Sequence, residues 1–167
     1  MTANFKKYAL VGAIVILLFM STTSKAASII AVFEGKKLKA YKDQGGVWTI
    51  GYGSTYNIDE KRPVQKGDTI TDATALRWLK TITANLQADI KKLIKVPVKQ
   101  NELDSMTSLA YNIGLTAFAD STLLEMFNAS APKIQVADQF LRWNKVKKIV
   151  NQGLINRRLK ERELFLK

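Results

Sequence analysis

The sequence predicts an α+β fold in which a small N-terminal β-ribbon lobe precedes a larger, mainly helical lobe. Two patterns carry that expectation. Residues 39–58 alternate apolar with polar side chains and are broken by glycines, as in a short twisted ribbon. Further on, apolar residues recur at Leu76, Leu79, Ile82, Leu86, Ile90 and Leu93, a helical stripe about five turns long. A chain of 167 residues with no internal repeat and no long linker is enough for one domain with a short appendage.

The appendage comes first. Lys6-Lys7 precede YALVGAIVILLFM (8–20), and Ser24-Lys25-Ala26 has the small-x-small form of a cleavage site. As a helix the apolar run would cover about 20 Å, short of the ~30 Å hydrocarbon core of a bilayer. Residues 1–26 are therefore expected to be either a cleaved signal peptide or a weakly held signal anchor. Both imply export across an inner membrane. Residues 27–167 are expected to form the folded domain.

In that domain Ser28 is a candidate N-cap for a short apolar helix that Gly35 ends after Glu34. The ribbon follows, then a loop from Pro63 to Asp68. Thr71 is placed to cap the long helix, with Asp72 at its positive end, and Pro97 to stop it. A second helix is expected over 99–113, with Leu103, Met106, Leu109, Ala110 and Ile113 on one face and Gly114 as terminator. Ser121 caps TLLEMFN, Pro132 opens PKIQVADQFLRW, and a basic amphipathic helix closes the chain over about 152–166.

Composition limits the chemistry. With no cysteine there are no disulfides or thiolates, and with no histidine the commonest general base and metal ligand is missing. Acid–base work must fall to carboxylates, lysine or tyrosine, and no metal or cofactor is expected. Net charge is +12; residues 1–26 hold three lysines and no acid, leaving +9 on the rest. That balance implies a polyanionic partner: nucleic acid, an anionic membrane face or an acidic wall polymer. Export, and the lack of any zinc, helix-turn-helix or RNP-like pattern, argue against nucleic acid.

Glu34, Asp43 and Thr49 stand out in FEGKKLKAYKDQGGVWTIGYG (33–53). Each has an ordinary explanation alone: a solvated helix end, an Asx turn, a good strand residue. Together they lie on a helix running straight into a ribbon, a layout that can aim all three into one cleft. Two carboxylates facing a cleft suit the cleavage of a glycosidic bond, one donating a proton and the other steering water or stabilising positive charge. The apolar neighbours Ile29, Ile30, Val32 and Phe33 would keep Glu34 protonated, while Asp43 on a polar turn would stay ionised. Thr49 could hold the attacking water.

FEGKKLKAYKDQGGVWTIGYGST resembles the signature of the phage-type lysozymes of glycoside hydrolase family 24, the endolysins. SLAYNIGLTAFADSTLLEMFN (108–128), FLRW (140–143) and GLINRRLKERELF (153–165) extend the resemblance over nearly all of 28–167. It implies a lysozyme-like fold and hydrolysis of the β-1,4 bond between N-acetylmuramic acid and N-acetylglucosamine in peptidoglycan strands. By resemblance Glu34 is the general acid, Asp43 positions or activates water, Thr49 assists, and Tyr111, Phe118 and Ser121 lie near the sugar. It also implies a monomer. Ser54 stands where the family often has histidine, a departure that bears on local hydrogen bonding. The N-terminus resembles that of a subgroup held silent at the inner membrane by a signal anchor. The rival readings are a lytic transglycosylase, which closes an anhydro ring on the same bond, and lysis aided by residues 154–167 as a membrane-active helix. In the plainer reading of that last helix its Leu and Phe residues close the core while Arg and Lys face water.

Overall fold

The computed structural model describes residues 24–43 and 45–167. The apolar run 8–20 lies outside these residues. Among the described residues no helix is long and apolar enough to cross a membrane. The observed architecture is α+β. Helix α1 (Lys25–Glu34) leads into an antiparallel ribbon of β1 (Lys37–Lys42) and β2 (Trp48–Gly51), and a second small ribbon pairs β3 (Tyr56–Asn57) with β4 (Arg62–Pro63). Helix α2 (Asp72–Leu93) carries the chain to the helical lobe: α3 (Gln100–Ile113), α4 (Leu115–Ala119), α5 (Thr122–Asn128), α6 (Lys133–Asp138), a 3-10 turn (Gln139–Arg142), the hairpin β5–β6 (Lys145–Val146, Ile149–Val150) and α7 (Gln152–Leu166).

α3 is the axis of the molecule. Every residue from Glu102 to Ala110 is buried, so the helix is enclosed on all sides, where its apolar periodicity predicts one inward face. Its polar residues are satisfied internally: Ser105 Oγ and Thr107 Oγ1 donate to carbonyls one turn back, both at 2.7 Å. Asp104 accepts from Gln87 at 2.7 Å. Around α3 the main core gathers Ile90, Phe118, Phe127, Phe140 and Phe165. A second cluster packs Ala27 and Ile30 of α1 against Leu79, with Tyr52 and Tyr111 at its edge, and a third seats Ile50 and Val64 on Trp78. α2 therefore serves both lobes, with Trp78 under the ribbons and Ile90 in the helical core. Trp78 and Ala75 take the inward positions near its start, whereas Leu76 of the expected stripe is 38% exposed.

Thr71 Oγ1 caps α2 by accepting from Thr74 N at 3.1 Å, as expected. The far end stops at Leu93, four residues short of Pro97, because Asn128 donates to Leu93 O at 3.0 Å and accepts from Lys95 N at 2.8 Å. α1 begins earlier than expected. Ser24, not Ser28, is its N-cap, accepting from Ala27 N at 3.1 Å. The helix takes in Lys25 and Ala26, and Ala26 is fully buried. PKIQVADQFLRW divides into α6 and the 3-10 turn, with Pro132 at the cap position of α6.

Candidate active site

Glu34 is the last residue of α1, and Gly35 at φ 67° turns the chain into β1. In the β1–β2 ribbon Tyr41 lies directly opposite Thr49. Because strand side chains alternate faces, Tyr41, Thr49 and Asp43 share one face, and Lys42 and Trp48 take the other. Beyond β2 the chain bends back through Gly53, whose φ of 90° suits glycine. A groove of about 370 Å³ runs between residues 53–56 and the helices, lined by Ile82, Leu86, Ala110 and Tyr111.

Glu34 is a quarter exposed, and its Oε1 lies 2.6 Å from Arg157 Nη1 of α7. This corrects the apolar setting expected for it. Ile30 faces the core, but the carboxylate leaves the helix end on another side and meets a guanidinium 123 residues away in sequence. The other oxygen, Oε2, faces the ribbon. A Cβ built on Gly53 would sit 3.6 Å from it and 3.9 Å from the Tyr111 hydroxyl. Tyr111 donates to Tyr52 O at 2.6 Å, which ties α3 to the loop after β2. Burial, and after it the Glu34 charge, push the Tyr111 hydroxyl well above its ordinary range.

Asp43, a candidate for the site, forms an Asx turn. Its Oδ1 accepts from Gly45 N and Val47 N, each at 2.8 Å, which fixes the carboxylate on the turn. Val47 O accepts in return from Asp43 N at 3.0 Å and from Thr49 Oγ1 at 3.1 Å. Asp43 and Thr49 are thus knitted through one residue. With its proton committed to Val47 O, the Thr49 hydroxyl offers lone pairs to a hydrogen-bond donor. Thr49 is only 3% exposed. Tyr41 stands close to both carboxylates: burial first, then Glu34 and Asp43, push its hydroxyl up. No sequence signal singled out Tyr41; its register opposite Thr49 would have done so.

Tyr111 joins this neighbourhood, but Phe118 and Ser121 do not. Phe118 is fully buried in the helical core and has no surface to offer a sugar. Ser121 caps α5, its Oγ accepting from Leu124 N at 3.2 Å and donating to Phe118 O at 2.6 Å. The resemblance of residues 108–128 to the family's cleft helices implied a place near the sugar for both; here Phe118 is spent on the core and the Ser121 hydroxyl on the α5 cap. Ser54 is nearly buried, and its hydroxyl closes a local turn onto Tyr56 O at 2.7 Å.

α7 also departs from expectation. Arg157, Arg158 and Glu161 are buried at 3%, 0% and 0% exposure, so the arginines do not all face water. Leu164 and Phe165 continue the same inward face, with Phe165 packed on Phe140 at 5.6 Å and Phe127 at 6.0 Å between ring centres. Leu164 and Phe165 are thus spent on the core, as the plainer reading of this helix expects, while Leu159, 49% exposed, stays on its outer side.

The phage lysozyme family model matches residues 31–161, a span that takes in every residue of this site. The chain belongs to the phage lysozyme family. It is 40% identical over 152 residues to the endolysin of Acyrthosiphon pisum secondary endosymbiont phage 1, covering 87% of this chain and 98% of that one. It is 34% identical over 133 residues to the SAR-endolysin of Enterobacteria phage P21, covering 80% and 77% respectively. Among solved structures, a variant of P22 lysozyme superposes with a TM-score of 0.76 at 39% identity, covering 87% of this chain and 97% of that one. The protein is thus a lysozyme-like α+β enzyme of the endolysin group, a glycosidase. In this phage lysozyme Glu34 joins the end of α1 to α7, and Asp43 sits on the turn of the β1–β2 ribbon.

Proposed function

We propose that this phage lysozyme is an N-acetylmuramidase that hydrolyses the β-1,4 bond between N-acetylmuramic acid and N-acetylglucosamine in peptidoglycan strands. The observation that carries the reading is the unequal treatment of the two Glu34 oxygens. Oε1 is taken by Arg157, and Oε2 is turned toward Gly53 and Tyr111 at the groove. Oε2 is then the oxygen that carries the proton to the glycosidic oxygen as the C–O bond breaks. Positive charge develops at the sugar's anomeric carbon, and the Asp43 carboxylate, fixed by two backbone N–H groups, faces it and the incoming water. Thr49 accepts a hydrogen bond from that water. Tyr41 and Tyr111 shape the site beside the carboxylates.

Residues 1–26 are assigned to carrying the chain across the inner membrane and tethering it there, a reading supported by the likeness to the P21 SAR-endolysin. The net charge of +12 favours an anionic wall over a neutral one.

The test is digestion of purified peptidoglycan by the full-length chain beside Glu34→Gln and Asp43→Asn, with fragments read by mass spectrometry. Reducing muramic-acid ends from the parent that fall by two or more orders of magnitude in both variants support the assignment. Anhydro ends with Asp43→Asn still active would make the chain a transglycosylase instead. No glycan cleavage by the parent would overturn the reading.

A further inference from the structure

Arg157 holds Glu34 with only part of its guanidinium. Its Nε donates to Glu161 Oε1 at 3.1 Å, and its Nη2 donates to Ser108 O at 3.0 Å. Glu161 Oε1 also accepts from Ser108 Oγ at 2.6 Å and from Arg158 Nη2 at 3.0 Å. Arg158 Nε lies 2.9 Å from Glu161 Oε2 but out of line for a hydrogen bond, and both atoms are buried without another partner. The result is a row of alternating charges, Glu34, Arg157, Glu161, Arg158, three of its four members sealed from water. Burial pushes the Glu161 carboxyl up and draws the Arg158 guanidinium down to about 10. Two guanidiniums and a hydroxyl on one carboxylate act against that burial by favouring its charged form.

Replacing a sealed ion network by apolar residues of the same volume is often neutral or stabilising, so stability alone gives no reason for this one. Its position does. We propose that Glu161 is a positioning residue for the reaction, which divides the Arg157 guanidinium with Glu34 and so sets how firmly Glu34 holds the proton it must donate. The proposal rests on Glu34 acting as the general acid. Were Arg157 free to engage Glu34 alone, its charge would favour the ionised carboxylate, which is useless for proton donation. With Glu161 opposite, the two carboxylates compete for one cation.

The other groups near Glu34 leave this assignment open to a charge test. α3 contributes Tyr111, β1 contributes Tyr41, and Asp43 stands beyond Tyr41 on the turn. On α7, Arg158 adds its field behind Arg157. Lys36, just past the end of α1, is engaged with Asp72.

Glu161→Gln removes one negative charge and leaves both guanidiniums facing Glu34. Ionised Glu34 is then favoured, and the alkaline limb of the kcat–pH profile should move down by about one pH unit with KM nearly unchanged. Arg158→Met removes a positive charge and should move the limb the other way. The two together restore the balance, and the limb should return close to the parent's. Carbon-detected NMR titration of the Glu34 carboxyl in the full chain should show the same three displacements without any substrate. That reading separates the proposal from the assignment of activity: a parent that cleaves no glycan sinks the muramidase reading, whereas a Glu34 titration unmoved by either substitution sinks this one. Where Glu161→Gln does not fold, Arg158→Met decides alone. Limbs that stay in place while only the melting temperature falls would make the network structural and overturn the proposal.

Discussion

The two oxygens of the Glu34 carboxylate have different surroundings, drawn from opposite ends of the chain, as the proposed proton donor requires. Arg157 supplies one side; Gly53 and Tyr111 supply the other. Gly53 matters twice, since its φ of 90° strains any other residue and an added methyl would stand 3.6 Å from Oε2. That distance is ordinary contact, so the space tolerates a methyl group. Gly53→Ala should therefore lower stability by about 1 kcal/mol through the backbone alone. On the proposed mechanism it should cut turnover by more than that cost explains, about tenfold, because the methyl crowds Oε2, the oxygen assigned to carry the proton; denaturation curves beside kcat check the split. Ser121→Ala should show the reverse. Loss of the α5 cap costs about 1 kcal/mol, while KM for glycan stays at the parent's value; a KM raised severalfold would return Ser121 to the substrate. Glu34, Asp43 and Thr49 could be grouped from the sequence because one helix end and one hairpin hold them all, so local geometry nearly fixes their relation; their roles rest on the proposed function. Arg157 could not be grouped with them, because a contact across 123 residues has no local trace, and an arginine among Arg158, Lys160 and Arg162 reads as solvated.

At the level of elements, several caps were legible, though Ser28 and Pro97 were misassigned, and burial was not. Thr71, Gly114 and Ser121 end or begin helices where the sequence puts them, since a cap is a contact with the next few residues. α3 was read from its apolar residues alone as having one inward face; its Ser, Thr and Asp are inside as well, satisfied by carbonyls of their own helix and by α2 and α7. The small β4 ribbon has a polar lock of its own. Arg62 donates to both oxygens of Asp68 at 2.9 Å, and Gln65 N adds a third bond at 2.9 Å. The Arg62 hydrogen bonds first, then that of Gln65, hold the Asp68 carboxyl below its usual range. A carboxyl lowered on folding stabilises the fold above its unfolded pKa of about 3.9. That contribution disappears as pH falls through the lower, folded value. The urea midpoint should accordingly drop as pH goes from 5 toward about 2.5. Asp68→Asn should start lower at neutral pH and lose less on acidification; parallel curves for the two proteins would assign acid lability to other groups.

On the scale of the whole molecule, charge and catalysis act over different distances and can be pulled apart. The chain carries 26 basic against 14 acidic residues. Most of the exposed lysines take no part in the site, while Arg157, Arg158 and Glu161 on α7 are buried and Glu34 is only a quarter exposed. Salt screens exposed charges beyond about 10 Å at 0.1 M and touches buried pairs far less. If the surface charge serves to gather the enzyme on an anionic wall, raising ionic strength should weaken the encounter and spare the chemistry. On whole peptidoglycan, kcat/KM should fall by about an order of magnitude between low salt and 0.5 M, with kcat changing little. On a short uncharged chitooligosaccharide the same salt range should leave both constants nearly flat. Equal salt sensitivity on the two substrates would locate the effect in the site and point back to the Arg157 network. A flat response on peptidoglycan would deprive the net charge of +12 of its role in wall binding, and the lysines would then serve solubility alone.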